Sequence, residues 1–159
     1  MSDVACGQPN NYTRSCDQTV LVRADDGEPL HSILQKPLSV TEIWNDKGSG
    51  ADRNVTVYNL NPPNGYYCLG SVVVDSYVDQ PDLDRYRCVR NDYVDEVSLQ
   101  GLIWSDKGSG ADSDFSAYDY QHQIGMITTG LFYGADSYDD DYNLDAFVMG
   151  LIESKTVEV

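Results

Sequence analysis

Ile43-Trp44-Asn45-Asp46-Lys47-Gly48-Ser49-Gly50-Ala51-Asp52 recurs, with one change in ten positions, as Ile103-Trp104-Ser105-Asp106-Lys107-Gly108-Ser109-Gly110-Ala111-Asp112, 60 residues further on. Self-similarity at a fixed period is the mark of stacked structural units. The match extends outward. Tyr58 meets Tyr118 and Gly70 meets Gly130 at the same offset; one residue later, Ser76-Tyr77 meets Ser137-Tyr138 and Leu83-Asp84 meets Leu144-Asp145. The chain therefore reads as a single domain with two full repeats, near 27–86 and 87–147, and a partial first repeat. Residues 1–19 are an arm closing that partial repeat, and 20–159 form the body.

Within each unit the texture is that of strands. Segments 20–23, 41–44, 55–58, 66–69, 72–74 and 86–89 are short, β-branched or aromatic, and parted by Gly, Pro, Asn and Asp. In the second unit 102–104, 115–118, 126–129, 131–133 and 146–149 correspond. No helical period is sustained, and the apolar spacing at 30–34 is too short to stand as a helix. The expected fold is all-β. Repeats of several short strands suit a propeller, a solenoid or a prism; two or three units are too few for a propeller, which favours a β-prism with internal pseudosymmetry. Trp44 and Trp104 are then expected in equivalent core or corner positions, as packing residues.

Composition narrows the partners. Ten basic residues against 26 acidic ones give a formal net charge of −16. A field of that sign repels phosphate backbones and anionic headgroups unless a basic patch overrides it. Arg85, Arg87 and Arg90 are the only basic cluster, and Tyr86, Cys88 and Val89 interrupt it. Nucleic acid and anionic membranes are therefore not expected partners. The longest apolar runs are too short to cross a bilayer as a helix, and the N-terminus has no basic segment followed by an apolar one. A soluble protein without a signal peptide is expected, its compartment open. The triplets at Asn11 and Asn54 match the N-glycosylation pattern, which matters only in a secretory lumen.

The four cysteines, Cys6, Cys16, Cys68 and Cys88, allow three disulfide pairings, and spacing does not choose among them. Cys68 and Cys88 sit inside apolar strand-like runs and read as buried thiols, whereas Cys6 and Cys16 lie in a polar arm. Their spacing does not fit a zinc site, and His31 and His122 add no second half.

Three motifs together carry a family likeness: Trp-x-Asp-x-Gly-Ser-Gly-Ala, then Pro62-Pro63-Asn64-Gly65-Tyr66-Tyr67-Cys68-Leu69-Gly70, then Pro81-Asp82-Leu83-Asp84-Arg85-Tyr86-Arg87-Cys88-Val89-Arg90. In order and spacing, over roughly 8–150, they resemble the vacuolar protein sorting-associated protein 62 family. Gln8-Pro9-Asn10 followed by Val20-Leu21-Val22-Arg23 looks like the close of that family's first repeat. The resemblance implies a β-prism similar to the multivesicular-body-associated β-prism and to receptor-binding domains of some pore-forming toxins. It implies no activity. The opening strands of the first repeat are missing, which leaves one of three sheets incomplete unless 151–159 or a second subunit fills it. A homodimer through that edge is the expectation.

The Asp-Lys-Gly-Ser-Gly-Ala-Asp loops hold the richest constellation. Gly48, Gly50, Gly108 and Gly110 allow positive φ, so backbone N–H groups turn toward one point and Asp46 or Asp106 accepts from them. Two readings stand side by side: a self-satisfied hairpin turn, or a shallow site for a polyhydroxyl ligand. In the second, Asp46, Ser49 and Asp52, with Asp106, Ser109 and Asp112, clamp hydroxyls, while Tyr58, Tyr118 or the Tyr77 and Tyr138 loops offer a ring to the sugar's apolar face. Pseudosymmetry would add multivalency.

The acidic run around Asp139, Asp140 and Asp141 supplies hard oxygen ligands of the kind calcium takes, but lacks the glycine and terminal glutamate of the helix-loop-helix calcium pattern; a solvated acidic loop is the alternative. No base, nucleophile and pocket assemble, so no catalytic residue and no cofactor other than calcium is expected. The functional expectation is non-enzymatic, lectin-like recognition of carbohydrate or a cell-surface glycoconjugate, in a defence or toxin context. A structural or trafficking adaptor binding protein partners is the alternative, and a hydrolase the third.

Overall fold

The computed structural model describes residues 33–121, 123–127, 131–138 and 147–152. Among them lie β1 (Leu34–Gln35), β2 (Ser39–Asn45), β3 (Thr56–Asn61), β4 (Tyr66–Tyr67), β5 (Ser71–Val74), β6 (Cys88–Arg90), β7 (Val94–Ser105), β8 (Ser116–Tyr120), β9 (Met126–Ile127), β10 (Phe132–Ala135) and β11 (Phe147–Ile152). Single 3-10 turns at Leu83–Arg85 and Asn91–Tyr93 interrupt the strands, and no α-helical element occurs among the described residues. The fold is all-β, as the texture of the sequence requires. Residues 1–19 of the arm and the expected strand at 20–23 lie outside the described residues.

The first unit, which runs on past residue 86 through β6, makes two antiparallel sheets, β1-β6-β4 and β2-β3-β5; the second, which runs on past 147 through β11, makes one of five strands, β10-β8-β7-β11-β9. β7 causes the difference. Its first half pairs with β11 and its second half with β8, so 12 residues do what β1 and β2 do separately in the first unit. Shifted by 60 residues, β7 covers β1, Lys36-Pro37-Leu38 and β2 in one run. Proline has no N–H to give a ladder, and the chain breaks at Pro37.

The pairing registers superpose. Trp44 faces Val57 as Trp104 faces Ala117, Tyr58 faces Val72 as Tyr118 faces Tyr133, and Leu34 faces Val89 as Val94 faces Leu151. The offset grows to 61 at β10 and 62 at β11, so Cys88 and Val89 correspond to Gly150 and Leu151. The last strand therefore runs past the expected 146–149. β1 and the first half of β7, not anticipated from sequence, complete the pattern.

Alternation explains the core. Strand side chains point to opposite faces in turn, and the central strands β3 and β8 are buried on both. On one face Tyr58 and Leu60 pack with Val72; their counterparts Tyr118 and Tyr120 pack with Val97, Leu99, Ala135 and Val148. On the other face Val57 and Ala117 meet with Trp44, Phe115 and Phe132, joining the two units. The Tyr120 hydroxyl accepts from the Gly70 N–H at 3.1 Å, a further tie between units, and burial holds its phenol well above the usual tyrosine range. Ile33, Leu34, Val89, Val94 and Leu151 form a separate cluster where β1-β6 and β7-β11 meet.

Cys68 and Cys88 form a disulfide with their Cα atoms 4.0 Å apart, correcting the reading of both as thiols. Adjacent strands hold their side chains close enough for such a bridge, and Tyr67 already faces Val89 across β4 and β6. Cys6 and Cys16 lie outside the described residues.

Candidate functional site

Each Asp-Lys-Gly-Ser-Gly loop closes on its own aspartate. Asp46 receives the Val55 N–H on its carboxylate at 2.9 Å, while its own N–H reaches the Val55 carbonyl. Asp106 repeats this with Phe115 at 2.7 Å. The Ser49 and Ser109 N–H groups donate to the carbonyls of Asp46 and Asp106, and their hydroxyls accept from Ala51 and Ala111. Ser109 also donates its hydroxyl to Asp106 at 3.2 Å.

A tyrosine then caps each carboxylate. Tyr77 donates to Asp46, and that bond pushes its phenol up to about 12, with burial and the charges of Asp46 and Asp112 adding to it. Tyr138 is raised to about 12 by burial first and then by its bond to Asp106. Both aspartates are buried, and a carboxylate is tolerated there because charge-assisted bonds replace its water. The aspartates thus serve as locks of the turn, the first of the two readings of these loops. The tyrosines, expected to offer rings to a ligand, are turned onto them.

The two loops also dock on each other. The Asp112 N–H donates to the Lys47 carbonyl at 2.8 Å, and the Trp44 indole N–H donates to the Ser113 carbonyl at 2.8 Å. Gly48, at φ 85°, lies so close that a Cβ there would stand 2.5 Å from an Asp112 carboxylate oxygen. Gly108 has the same φ within a degree and open space around it.

Asymmetry follows. Trp44 is 5% exposed, stacked on Phe115 with ring centroids 5.1 Å apart. Trp104 is 47% exposed and touches Trp44 and Phe115 only obliquely. The expectation that both tryptophans sit in equivalent surroundings is corrected: their registers match and their environments do not. Among the described residues the Trp104 indole N–H has no hydrogen-bond acceptor.

Both tryptophans line an open cleft of about 680 Å³ between the units, with Val55, Val57 and Val73 from the first unit and Ile103, Phe115 and Phe132 from the second. Asp46, Ser49, Gly50 and Ser109 edge it, so part of the expected loop site borders this space. Asp52 and Asp112 are exposed nearby in the loops. Tyr58 and Tyr118, also expected at the site, are buried on the far faces of β3 and β8 and present no ring to a ligand there. Alternation along the strand forces this, because Val57 and Ala117 take the cleft side. Sequence reading missed Phe115, Ser113 and the exposure of Trp104; the one available signal was that Val55 stands where the second unit has Phe115.

Among the described residues no group of three His, Cys, Asp or Glu side chains is arranged to hold a metal. Asp139, Asp140, Asp141, His31 and His122 lie outside them. No helix of the described residues is long and apolar enough to cross a membrane, which says nothing of a β-barrel.

The family model described as vacuolar protein sorting-associated protein 62 matches residues 5–148. Among solved structures, the chain is similar to the crystal structure of GNIP1Aa from Chromobacterium piscinae, at 29% identity and a TM-score of 0.64. That match covers 77% of this chain and 25% of the other, so the chain spans about a quarter of that protein's length. No curated protein matches significantly.

Proposed function

This chain belongs to the vacuolar protein sorting-associated protein 62 family, and from that premise we propose that it is a non-enzymatic recognition module of β-prism design, binding its target in the open cleft between the two repeats. One observation carries the reading. Two tryptophans hold the same rung of the strand ladder and line the same apolar cleft, yet one is 5% exposed and the other 47%. A large exposed aromatic next to a concave apolar surface is the composition of a binding hot spot. The prism assignment draws on the superposed registers of the two units.

The cleft's acid supports the absence of chemistry. Asp46 is engaged by the Val55 N–H and the Tyr77 hydroxyl, and the Ser109 hydroxyl is held between Ala111 and Asp106. Neither is disposed as a general acid, base or nucleophile.

Recognition of a glycoconjugate is the second reading, favoured by the exposed Trp104 face with Ser49 and Ser109 along the cleft edge. Aromatic rings stack on the apolar face of sugars while hydroxyls take the polar rim. Labelled protein and its Trp104→Ala variant, applied in parallel to glycan arrays and arrayed cell-surface ectodomains, test both. Binding that disappears with the tryptophan supports the cleft. Ligands held equally well by the variant would end the proposal.

A further inference from the structure

We propose that Asn64-Gly65 is a self-modifying site, at which the chain converts its own asparagine to aspartate and isoaspartate and thereby loosens the pairing of β4 with β6. The chemistry is intramolecular. The Gly65 backbone nitrogen attacks the Asn64 side-chain carbonyl carbon, a new C–N bond closes a cyclic imide, and the amide nitrogen leaves as ammonia, taking up the Gly65 proton. Water then adds to one or the other imide carbonyl and opens the ring to an aspartyl or an isoaspartyl residue.

The reaction needs a side-chain amide free to swing and a following N–H free to lose its proton, and among the described asparagines Asn64 alone combines both with a following glycine. Asn64 is exposed, and neither its side chain nor the Gly65 N–H bonds to a described residue. The Tyr66 N–H closes the turn on the Pro63 carbonyl at 3.1 Å, which leaves the reacting pair at its tip. Gly65, at φ 83°, has nothing nearer to the place of a side chain than an Asn91 oxygen at 3.9 Å, and without a Cβ it leaves its nitrogen unshielded. Elsewhere one of the two parties is blocked. The side chains of Asn45, Asn59 and Asn61 are bonded to Glu42, Ser71 and Ser39. The nitrogen after Asn61 belongs to Pro62 and carries no proton. The nitrogen after Asn54 is that of Val55, held by Asp46 at 2.9 Å. Asn91 sits in a 3-10 turn, followed by Asp92, whose Cβ crowds the nitrogen.

The second unit holds the same turn without the reactive amide. In Gln123-Ile124-Gly125-Met126 the Met126 N–H donates to the Gln123 carbonyl at 3.0 Å and Gly125 has φ 82°, with Ile124 in the place of Asn64. Modification is therefore confined to the first unit, and its effect falls on β4. Isoaspartate inserts a methylene into the main chain at the tip of the turn, directly before the Tyr66 N–H bonded to Pro63 and beside the Gly65 carbonyl that takes the Asn91 N–H at 3.0 Å. β4 pairs with β6 over only two residues, so the strand is then tethered mainly by the Cys68–Cys88 bridge.

The full chain, disulfide intact, is kept in warm, mildly alkaline buffer, then reduced and cut with trypsin, and the 54–85 peptide is sequenced by fragmentation. Conversion should be confined to position 64, as two chromatographically distinct products of equal mass with isoaspartate in excess, and should be absent from the Asn64→Gln variant. Hydrogen exchange of the converted chain should be faster at the Tyr66 and Asn91 amides by about tenfold or more, with the β3 and β8 amides unchanged. Conversion at 54, 59 or 61 as fast as at 64, or conversion at 64 only after unfolding in urea, overturns the proposal. Conversion at 64 that leaves exchange at Tyr66 and Asn91 unchanged overturns the loosening of β4.

Discussion

Around Trp44 the second unit supplies a carbonyl, a stacked ring and a loop backbone and leaves it 5% exposed, while Trp104, at the same rung of the ladder and on the same cleft, is 47% exposed. The strand register, the flanking motif and the turn chemistry are shared. What differs is the neighbour. A residue's burial in a repeat protein is therefore a property of the next unit as much as of its own sequence, and one motif serves as core in one copy and as surface in the other.

The widest separation between the copies is expected in stability. Trp44→Ala removes a sealed ring and its indole bond, and should cost about 3–5 kcal/mol. Trp104→Ala, starting half exposed, should cost about 1 kcal/mol. Urea denaturation of the two variants measures this directly, and equal losses would dissolve the contrast.

A second difference lies in the small sheets. β1-β6-β4 pairs over only four residue pairs and is stapled by Cys68–Cys88, whereas β7-β11-β9 pairs over seven and has Gly150 at the corresponding place. Replacing both cysteines by serine should cost about 3 kcal/mol, the value for a loop of this length. Thermal unfolding in the presence and absence of reductant, with the double variant as control, checks it. Unchanged melting would show that the short sheet stands without its staple.

Glycines sharpen the contrast further. Alanine at Gly48 or Gly108 meets the same left-handed backbone, worth about 1–2 kcal/mol, but only Gly48 lies against the other loop. Gly48→Ala should exceed Gly108→Ala by about 1 kcal/mol or more, read from chemical denaturation.

The smallest effect is alkaline. Both capping tyrosines are raised to about 12 in the folded protein from a usual value of 10.0. Above pH 10 the unfolded chain releases these protons more readily than the folded one, so stability falls as pH rises toward 12 and is fully present below 10. The Tyr77→Phe/Tyr138→Phe double variant should lose less between pH 9 and 11.5 than the parent, in urea midpoints. Parallel curves would separate the tyrosines from the aspartates they cover.

The repeat, the all-β texture and the family were legible because they depend on identity and alternation within a few residues of Trp44 and Trp104. Asp46 and Asp106 were correctly singled out as the focus of their loops. Their partners were not readable, since Val55 and Phe115 close the turns from nine residues away, and the capping tyrosines arrive from about thirty residues downstream. Tyr58 and Tyr118 were misplaced because alternation along β3 and β8 puts each on the face opposite Val57 and Ala117, away from the cleft. β1 escaped notice because two residues beside Pro37 carry no periodic signal of their own.

Pro37 has a mechanical consequence. In the second unit an unbroken β7 threads both of its ladders, so separating either one from its partners loads the other through covalent backbone. In the first unit the same path passes through a residue without an amide hydrogen, and only 36–37 separate β1 from the β2 ladder, which begins at the Leu38 N–H bonded to Asn61. The two ladders of the second half are thus covalently joined through one strand, and those of the first meet at a proline.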